Sequence, residues 1–382
     1  MPGVNSELPE QQVFNQYLYM RRLLLFILPV LVIVFNDVKS QDVPTQVSGK
    51  MDKTYGRYLI TLGKSVNGFF CAENIDLTDS IILQNEKFDV NSNIPLHSFV
   101  RLNFAHHQLM LFYADSAEPI RFELLTDSAQ NPGRIFFFGA NAAANELLAN
   151  HLLLSANGKT QKEIEKIIIE APSAVACLNS LHSVLNKFER ILDELFDNQK
   201  ISGSCHEAFI AETEQRFLLC CKDILRHSTL GSQAFTMSKK EMNILINHLY
   251  TQYDPFDKRY FTAPTLISNI TAKCILINDG IIPPVIANPK DTWKSFAGVF
   301  TFIVPYIGVY DLAPNSIQHY LVGNALLANL LFNEMTKDEF IEVYTTFRKR
   351  YPASPYIKII DTRIPRTRFL EHSLKVPIIF TK

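Results

Sequence analysis

The residues most capable of chemistry stand together in one place, Gly203-Ser204-Cys205-His206-Glu207. A serine nucleophile of the elbow type needs Gly-x-Ser-x-Gly, a strained turn that thrusts the hydroxyl outward. The second glycine is missing here, so Gly203 and Ser204 read as a chain break with a capped turn. Cys205 beside His206 would make an activated thiol only if the two side chains converged, and sequence neighbours seldom do. His206-Glu207 falls short of a zinc-protease helix, which needs a second histidine three residues beyond the glutamate. His106-His107 fits a strand end. The six cysteines, Cys71, Cys177, Cys205, Cys220, Cys221 and Cys274, contain no Cys-x-x-Cys pair and no histidine at zinc-like spacing. None of the 14 glycines builds a phosphate-cradling loop. The expectation is a protein that is no enzyme, with no catalytic set, no metal and no cofactor.

An even number of cysteines permits up to three disulfides in an oxidising compartment. Cys220 and Cys221, however, are neighbours on an apparent helix and point about 100° apart. Mostly free, buried thiols are expected. The formal net charge of -1 leaves no electrostatic footprint for nucleic acid. The concentrated basic run, Arg348-Lys349-Arg350, reads as a solvated helix end. With 47% hydrophobic and 20% charged residues, the 382-residue chain has the composition of a globular protein with a large core.

Near the N-terminus, Arg21 and Arg22 precede an apolar run from Leu23 to Phe35. That run is shorter than the ~20 residues of a spanning helix and suits a secretory leader. Val38 and Ser40 are small residues where cleavage favours them. Residues 1–40 are therefore expected to be a signal peptide with an N-terminal extension, Met20 being an alternative start. The competing reading is an uncleaved anchor or a buried helix. A secreted, extracellular protein with no membrane contact after cleavage is the expectation. The sequon Asn269-Ile270-Thr271 would then make Asn269 a glycosylation site.

The elements that would position such groups fall into two parts. Residues 41–130 read as β-rich, with a strand over Tyr58–Leu62 and two more over Gln108–Ala114 and Ile120–Leu125. The last two are joined by Asp115-Ser116-Ala117-Glu118-Pro119, which is turn chemistry and suggests a hairpin. Asn131-Pro132-Gly133 turns the chain into Ile135–Phe138, the third strand of a meander. Beyond it the periodicity is helical: Ser180–Leu195 carries one apolar stripe, and Phe217–Leu225 forms another helix. Ser238 with Glu241 predicts a capping box at the head of a third. A short strand is expected over Ala272–Asn278 within a proline-rich stretch.

The chain from Asn131 to Phe380 resembles the serpin superfamily. Arg134-Ile135-Phe136-Phe137 is similar to the family's Asn-Ile-Phe-Phe strand, and a small-residue helix follows over Ala142–Leu154. Ala156-Asn157-Gly158-Lys159-Thr160 is similar to its Ala-x-Gly-x-Thr turn, where Gly158 is expected at positive φ. Ile246-Asn247-His248-Leu249, the strand Cys274–Asn278, and Asn288-Pro289-Lys290-Asp291-Thr292 continue the pattern in the family's order. Met335–Arg348 is similar to a later helix, and Tyr356–Ile360 with Leu370–Phe380 to the strand and helix end after it. The motif residues are thus Ile135, Phe136, Phe137, Gly158, Thr160, Asn247 and Asn278. The resemblance implies an α+β, serpin-like fold over 131–382, with helices packed on mixed or antiparallel β-sheets, incomplete or rearranged.

It also implies descent from inhibitors of serine endopeptidases, with such a protease as the partner class. Phe138-Gly139 stands where the family has Ser-Pro, and Ile281-Ile282-Pro283-Pro284 replaces its Lys-Gly-x-Trp. Neither a Glu-Gly-Thr-x-Ala-Ala hinge nor the reactive loop is found. Serpin inhibition requires that loop to insert into the central sheet. A non-inhibitory binding protein is therefore expected. Residues 102–125 are similar to the hairpin that closes an ordinary serpin, with His107 matching a family histidine, as in a circular permutation. A rival placement makes Asn103–Tyr113 the family's first helix. The alternative function is an intracellular adaptor of longin-like α/β modules.

Overall fold

The computed structural model describes residues 42–369 apart from 52–58, 64, 67–68, 70–79, 83–86, 96, 105–107, 116–118, 125–133, 151–157, 230–234, 288, 297–306 and 333–334. All of these belong to one compact unit, Asp42–Lys382. The leader expected over 1–40, Cys71, His106, His107, Asn157, Asn288 and the Leu370–Phe380 segment lie outside the described residues.

The chain is α+β, with its described strands first and its helices after. The strands are β1 (Asp42–Met51), β2 (Leu59–Gly63), β3 (Ser80–Ile82), β4 (Lys87–Pro95), β5 (Ser98–Phe104), β6 (Gln108–Ala114), β7 (Ile120–Leu124) and β8 (Ile135–Phe138). They form two four-stranded sheets, ordered β4-β1-β7-β8 and β3-β2-β5-β6. In the first sheet β1 runs antiparallel to β4 and parallel to β7, and β7 pairs antiparallel with β8. The second is antiparallel throughout. Buried aromatic residues join the two sheets. The Phe112 ring of β6 lies 6.2 Å from that of Phe137 in β8, which lies 5.9 Å from Phe122 in β7. Such offset and tilted contacts are the favoured geometry for aromatic rings.

The helices are α1 (Ala142–Ala149), α2 (Lys159–Glu170), α3 (Ala174–Asp197), α4 (Gly203–Thr229), α5 (Lys239–Gln252), α6 (Leu266–Asn278), α7 (Asn315–Phe332), α8 (Lys337–Arg350) and α9 (Pro355–Arg363). Their apolar faces meet in two large cores. One gathers Ile164, Leu181, Leu185, Phe217, Cys221, Leu245 and Leu249 from α2 to α5. The other surrounds α7, where Ile317, Leu321, Val322, Leu326 and Leu330 are all buried, along with Trp293, Phe340 and Tyr356. A helix buried on several sides is a core helix, and its sequence shows no amphipathic stripe. No described helix is long and apolar enough to cross a membrane.

Several expectations are corrected. Ala272–Asn278 lies in helix α6, where Ala272, Lys273, Cys274 and Ile277 are buried on more than one side. Burial all round removes the periodicity that would tell a helix from a strand. Tyr356–Ile360 also lies in a helix, α9, begun by Ser354 as N-cap and Pro355 in the first turn. The segments flanking Asp115 do not form a hairpin: β6 pairs with β5, and β7 crosses to the other sheet. The expected 102–125 hairpin is therefore not formed: the strand that pairs with β6 is β5, over 98–114 in the register Phe104 opposite Gln108, and β6 is a strand rather than the helix of the rival placement. Because β8 completes the first sheet, a boundary at residue 130 cuts through it.

Gly158 sits at φ −103° and ψ −175°, an extended N-cap of α2 with no positive φ. Ser238 does accept from Glu241 N, but the Glu241 carboxylate turns away to another helix, so the box is half formed. A complete capping box occurs instead between Thr336 and Glu339 at the head of α8.

Candidate functional site

Serine, histidine and aspartate converge where the second sheet meets α4. Asp115, the residue after β6, is the hub. Its carboxylate accepts hydrogen bonds from the Ser202 hydroxyl, from Ser204 Oγ at 2.5 Å and from Asn141 Nδ2 at 3.3 Å. His97 Nδ1 lies 2.6 Å away on the solvent side, the Asp115 side chain being 11% exposed and that of His97 53%. Burial alone would raise the Asp115 pKa, but the bonds from Ser202, Ser204, Asn141 and His97 outweigh it and hold the carboxyl below its ordinary range.

Local structure fixes each donor. Ser202 is the N-cap of α4: its carbonyl accepts from His206 N, and its Oγ accepts from Cys205 N at 3.1 Å. The carboxylate therefore sits at the positive end of a long helix dipole. His97 and Asn141 both adopt positive φ, 54° and 59°, which asparagine and histidine tolerate better than most residues. Asn141 also accepts from Ser202 N at 2.8 Å, so it grips both sides of the junction. Beneath lie Tyr113 and Cys205, both buried. Tyr113 exchanges backbone hydrogen bonds with the Asn145 side chain and donates its hydroxyl to Ser204 O at 3.1 Å. Burial, then the Asp115 charge, raises both the Tyr113 hydroxyl and the Cys205 thiol. A cavity of about 20 Å³ beside Asp115 and Asn145 has room for one water.

The order of these groups decides what they can do. A triad places histidine between the carboxylate and the serine, so that the imidazole removes the hydroxyl proton. Here Asp115 stands between His97 and the two serines, and a carboxylate of lowered pKa is a poor base. Cys205 does not meet His206, whose Nε2 pairs with Asp193 at 2.8 Å and whose ring stacks on Phe196 at 5.0 Å. The arrangement is a polar latch between the sheets and the helices.

A second polar cluster runs along α4. The fully buried Glu212 accepts from Arg216 Nε at 2.6 Å and from both the backbone N and the hydroxyl of Thr265. Glu214 accepts from the Tyr260 hydroxyl at 2.8 Å. These carboxylates brace α4 against the segment leading into α6. Among the described residues no group of three or more His, Cys, Asp or Glu side chains could hold a metal.

The other residues singled out by sequence fall far apart. Ile135, Phe136 and Phe137 form β8, whose outer backbone is satisfied by α1: Asn150 bonds both Ile135 N and O, and Glu146 accepts from Phe137 N. That covers a sheet edge. Thr160 lies in the first turn of α2, while Asn247 and Asn278 are exposed on α5 and α6. Asn269 is fully buried, its Nδ2 donating to Gln215 O at 2.7 Å and to Gln215 Oε1 at 2.9 Å. The folded chain has no room for a glycan there, which corrects the glycosylation expectation. The five described cysteines are free and buried. Asp115 itself carried no motif, because its partners stand 18, 26, 87 and 89 residues away in sequence.

No protein-family profile matches the chain, no curated protein matches it, and no solved structure matches it.

Proposed function

We propose that the chain is a non-catalytic binding protein in which the Asp115 latch holds the sheet layer on the helices. The observation that carries this reading is the position of Asp115 between His97 and the serines, so that the base Ser202 and Ser204 touch is a carboxylate held below its ordinary range. The resemblance to serpins enters as ancestry, with serine endopeptidases as the implied partner class. Two segments that carry it, Cys274–Asn278 and Tyr356–Ile360, are helical, so the proposal rests on the latch and not on the resemblance. Secretion after cleavage near Ser40 belongs to the same proposal.

The test is incubation of the full chain with ester and peptide substrates and with trypsin-like and chymotrypsin-like proteases. No turnover and no SDS-resistant complex are expected. Turnover abolished by Ser204→Ala, or a covalent protease band, would overturn the reading.

A second reading, an intracellular adaptor, is favoured by the five buried free thiols, since reduced cysteines are the rule in the cytosol. The intact mass of the native protein separates the two. A secreted species starting near Gln41 supports the first, and a cellular species retaining Leu23–Phe35 supports the second.

A further inference from the structure

The basic run at the end of α8 divides into an inward and an outward part. Arg350 turns inward: its Nη2 donates to Gln318 Oε1 at 2.9 Å, its Nη1 lies 3.7 Å from the buried Asp311, and its guanidinium faces the Trp293 ring at 5.7 Å. Arg348 and Lys349 face solvent. They edge a groove of about 690 Å³ between α8 and α9. Its surface is formed by Ile341, Tyr344 and Thr345 of α8, by Pro352, by Asp361 of α9 and by Ile364 just past α9. Ile341 is 37% exposed.

The groove is preformed. The Tyr344 hydroxyl donates to Asp361 Oδ1 at 2.6 Å and approaches Ile357 O at 3.3 Å, which fixes its ring as a wall. Asp361 lies 3.7 Å from Arg348 Nη1, with the two side chains 41% and 59% exposed. An ion pair so open to water neutralises little. Lys349 forms no ion pair among the described residues. The result is a largely apolar trough whose edge carries Arg348 and Lys349 against the single carboxylate of Asp361, a net positive rim.

Resting on the binding-protein reading above, we propose that this groove docks a short segment of a partner protein, an apolar anchor residue flanked by acidic side chains. Apolar residues seated at i and i+3 or i+4 in a groove, with charges at its rim, are a recurring mode of peptide recognition. Charge complementarity selects the occupant. The chain's own residues 370–382 carry Lys375 and Lys382 against Glu371, a net positive charge that would meet Arg348 and Lys349 unfavourably. An acidic segment gains from both cations, and rim charges of this kind set specificity and association rate.

The experiment is selection of a random twelve-residue peptide library on the immobilised full chain. The enriched peptide is then synthesised with a fluorescein label and titrated against the wild type, Ile341→Glu and the double variant Arg348→Glu/Lys349→Glu. The expected peptide combines Asp or Glu with a Leu, Ile or Phe anchor. Binding should weaken at least tenfold in each variant, with a cooperative melt showing that each remains folded, because the three side chains are exposed. It should also weaken with added salt.

A basic consensus, or equal affinity for the wild type and Ile341→Glu, overturns the groove and leaves the binding-protein reading standing. No enrichment at all counts against both. Tighter binding of a synthetic 370–382 peptide than of any acidic one assigns the groove to the chain's own tail and overturns the partner. A dimer in light scattering that Ile341→Glu dissociates assigns it to a second copy, with the same consequence.

Discussion

Glu241 Oε2 accepts a hydrogen bond from the backbone N–H of Ala174 at 2.8 Å, so a carboxylate in the first turn of α5 caps the first turn of α3. Ser173 Oγ satisfies Ala176 N in the same turn. Two otherwise orphan donors of a 24-residue helix thus find partners, one of them 67 residues away in sequence.

Replacing Glu241 by Ala should destabilise the protein by about 1 kcal/mol, through the lost cap and the lost carboxylate at the positive end of the α3 dipole. Glu241→Gln should keep part of the bond and cost less. Urea denaturation measures both. Equal stability of wild type and Glu241→Ala would show that the contact contributes nothing.

Asp115→Asn should cost about 2 kcal/mol, because it weakens charge-assisted bonds in a partly buried cluster. The variant should also change the acid limb. The folded-state pKa of Asp115 lies below its unfolded value, so the stabilisation is complete above that value, near pH 4, and is lost as pH falls through the folded pKa. Stability of the wild type should therefore fall more steeply than that of Asp115→Asn below about pH 4. Parallel pH profiles would refute the latch as a charged device.

Gly323, inside α7, is a close-approach glycine. A Cβ added there would lie 2.6 Å from Cδ2 and 2.9 Å from Cβ of Tyr356, and closer still to Cγ. Helix propensity alone favours Gly323→Ala by about 1 kcal/mol. Overpacking against α9 opposes it and should win, for a net loss of about 1–2 kcal/mol. A rise in melting temperature would mean that α7 and α9 are not so tightly packed.

The thiols should be silent in the native state. Burial pushes Cys220 up to about 11 and Cys177 and Cys274 up to about 12, and raises Cys205 and Cys221 as well. A thiolate is the reactive form. At pH 8, iodoacetamide should leave all five unlabelled until denaturant is added, which peptide mass mapping reads directly. Rapid native labelling at any one would place it at the surface.

Asn269 should carry no glycan in the folded protein. An asparagine-glycan-releasing amidase should leave the mass unchanged, and Asn269→Ala should destabilise by about 2 kcal/mol by removing two buried hydrogen bonds.

The sequence alone determined the elements whose residues alternate or repeat with a clear period. Ile135–Phe138 is the strand expected from its residues, and the Leu181, Val184 and Leu185 stripe marks α3 because one side of that helix faces solvent. It also indicated buried free thiols. Where burial surrounds an element, the pattern vanishes: Cys274–Asn278 is apolar like a strand and helical in fact, because α6 packs against neighbours on several sides. Pairing was hidden for another reason. The turn after Asp115 shows that the chain bends but not that β6 and β7 join different sheets, since pairing is decided by the partners each strand finds.

The latch and the groove belong wholly to the tertiary structure. Asp115, Ser202 and Ser204 meet because helix α4 begins where β6 ends in space, and Arg350 separates from Arg348 and Lys349 because Asp311 and Trp293 draw it inward. Residue types supplied the donors and acceptors. Burial among distant neighbours decided which were drawn into the core and which stayed at the surface.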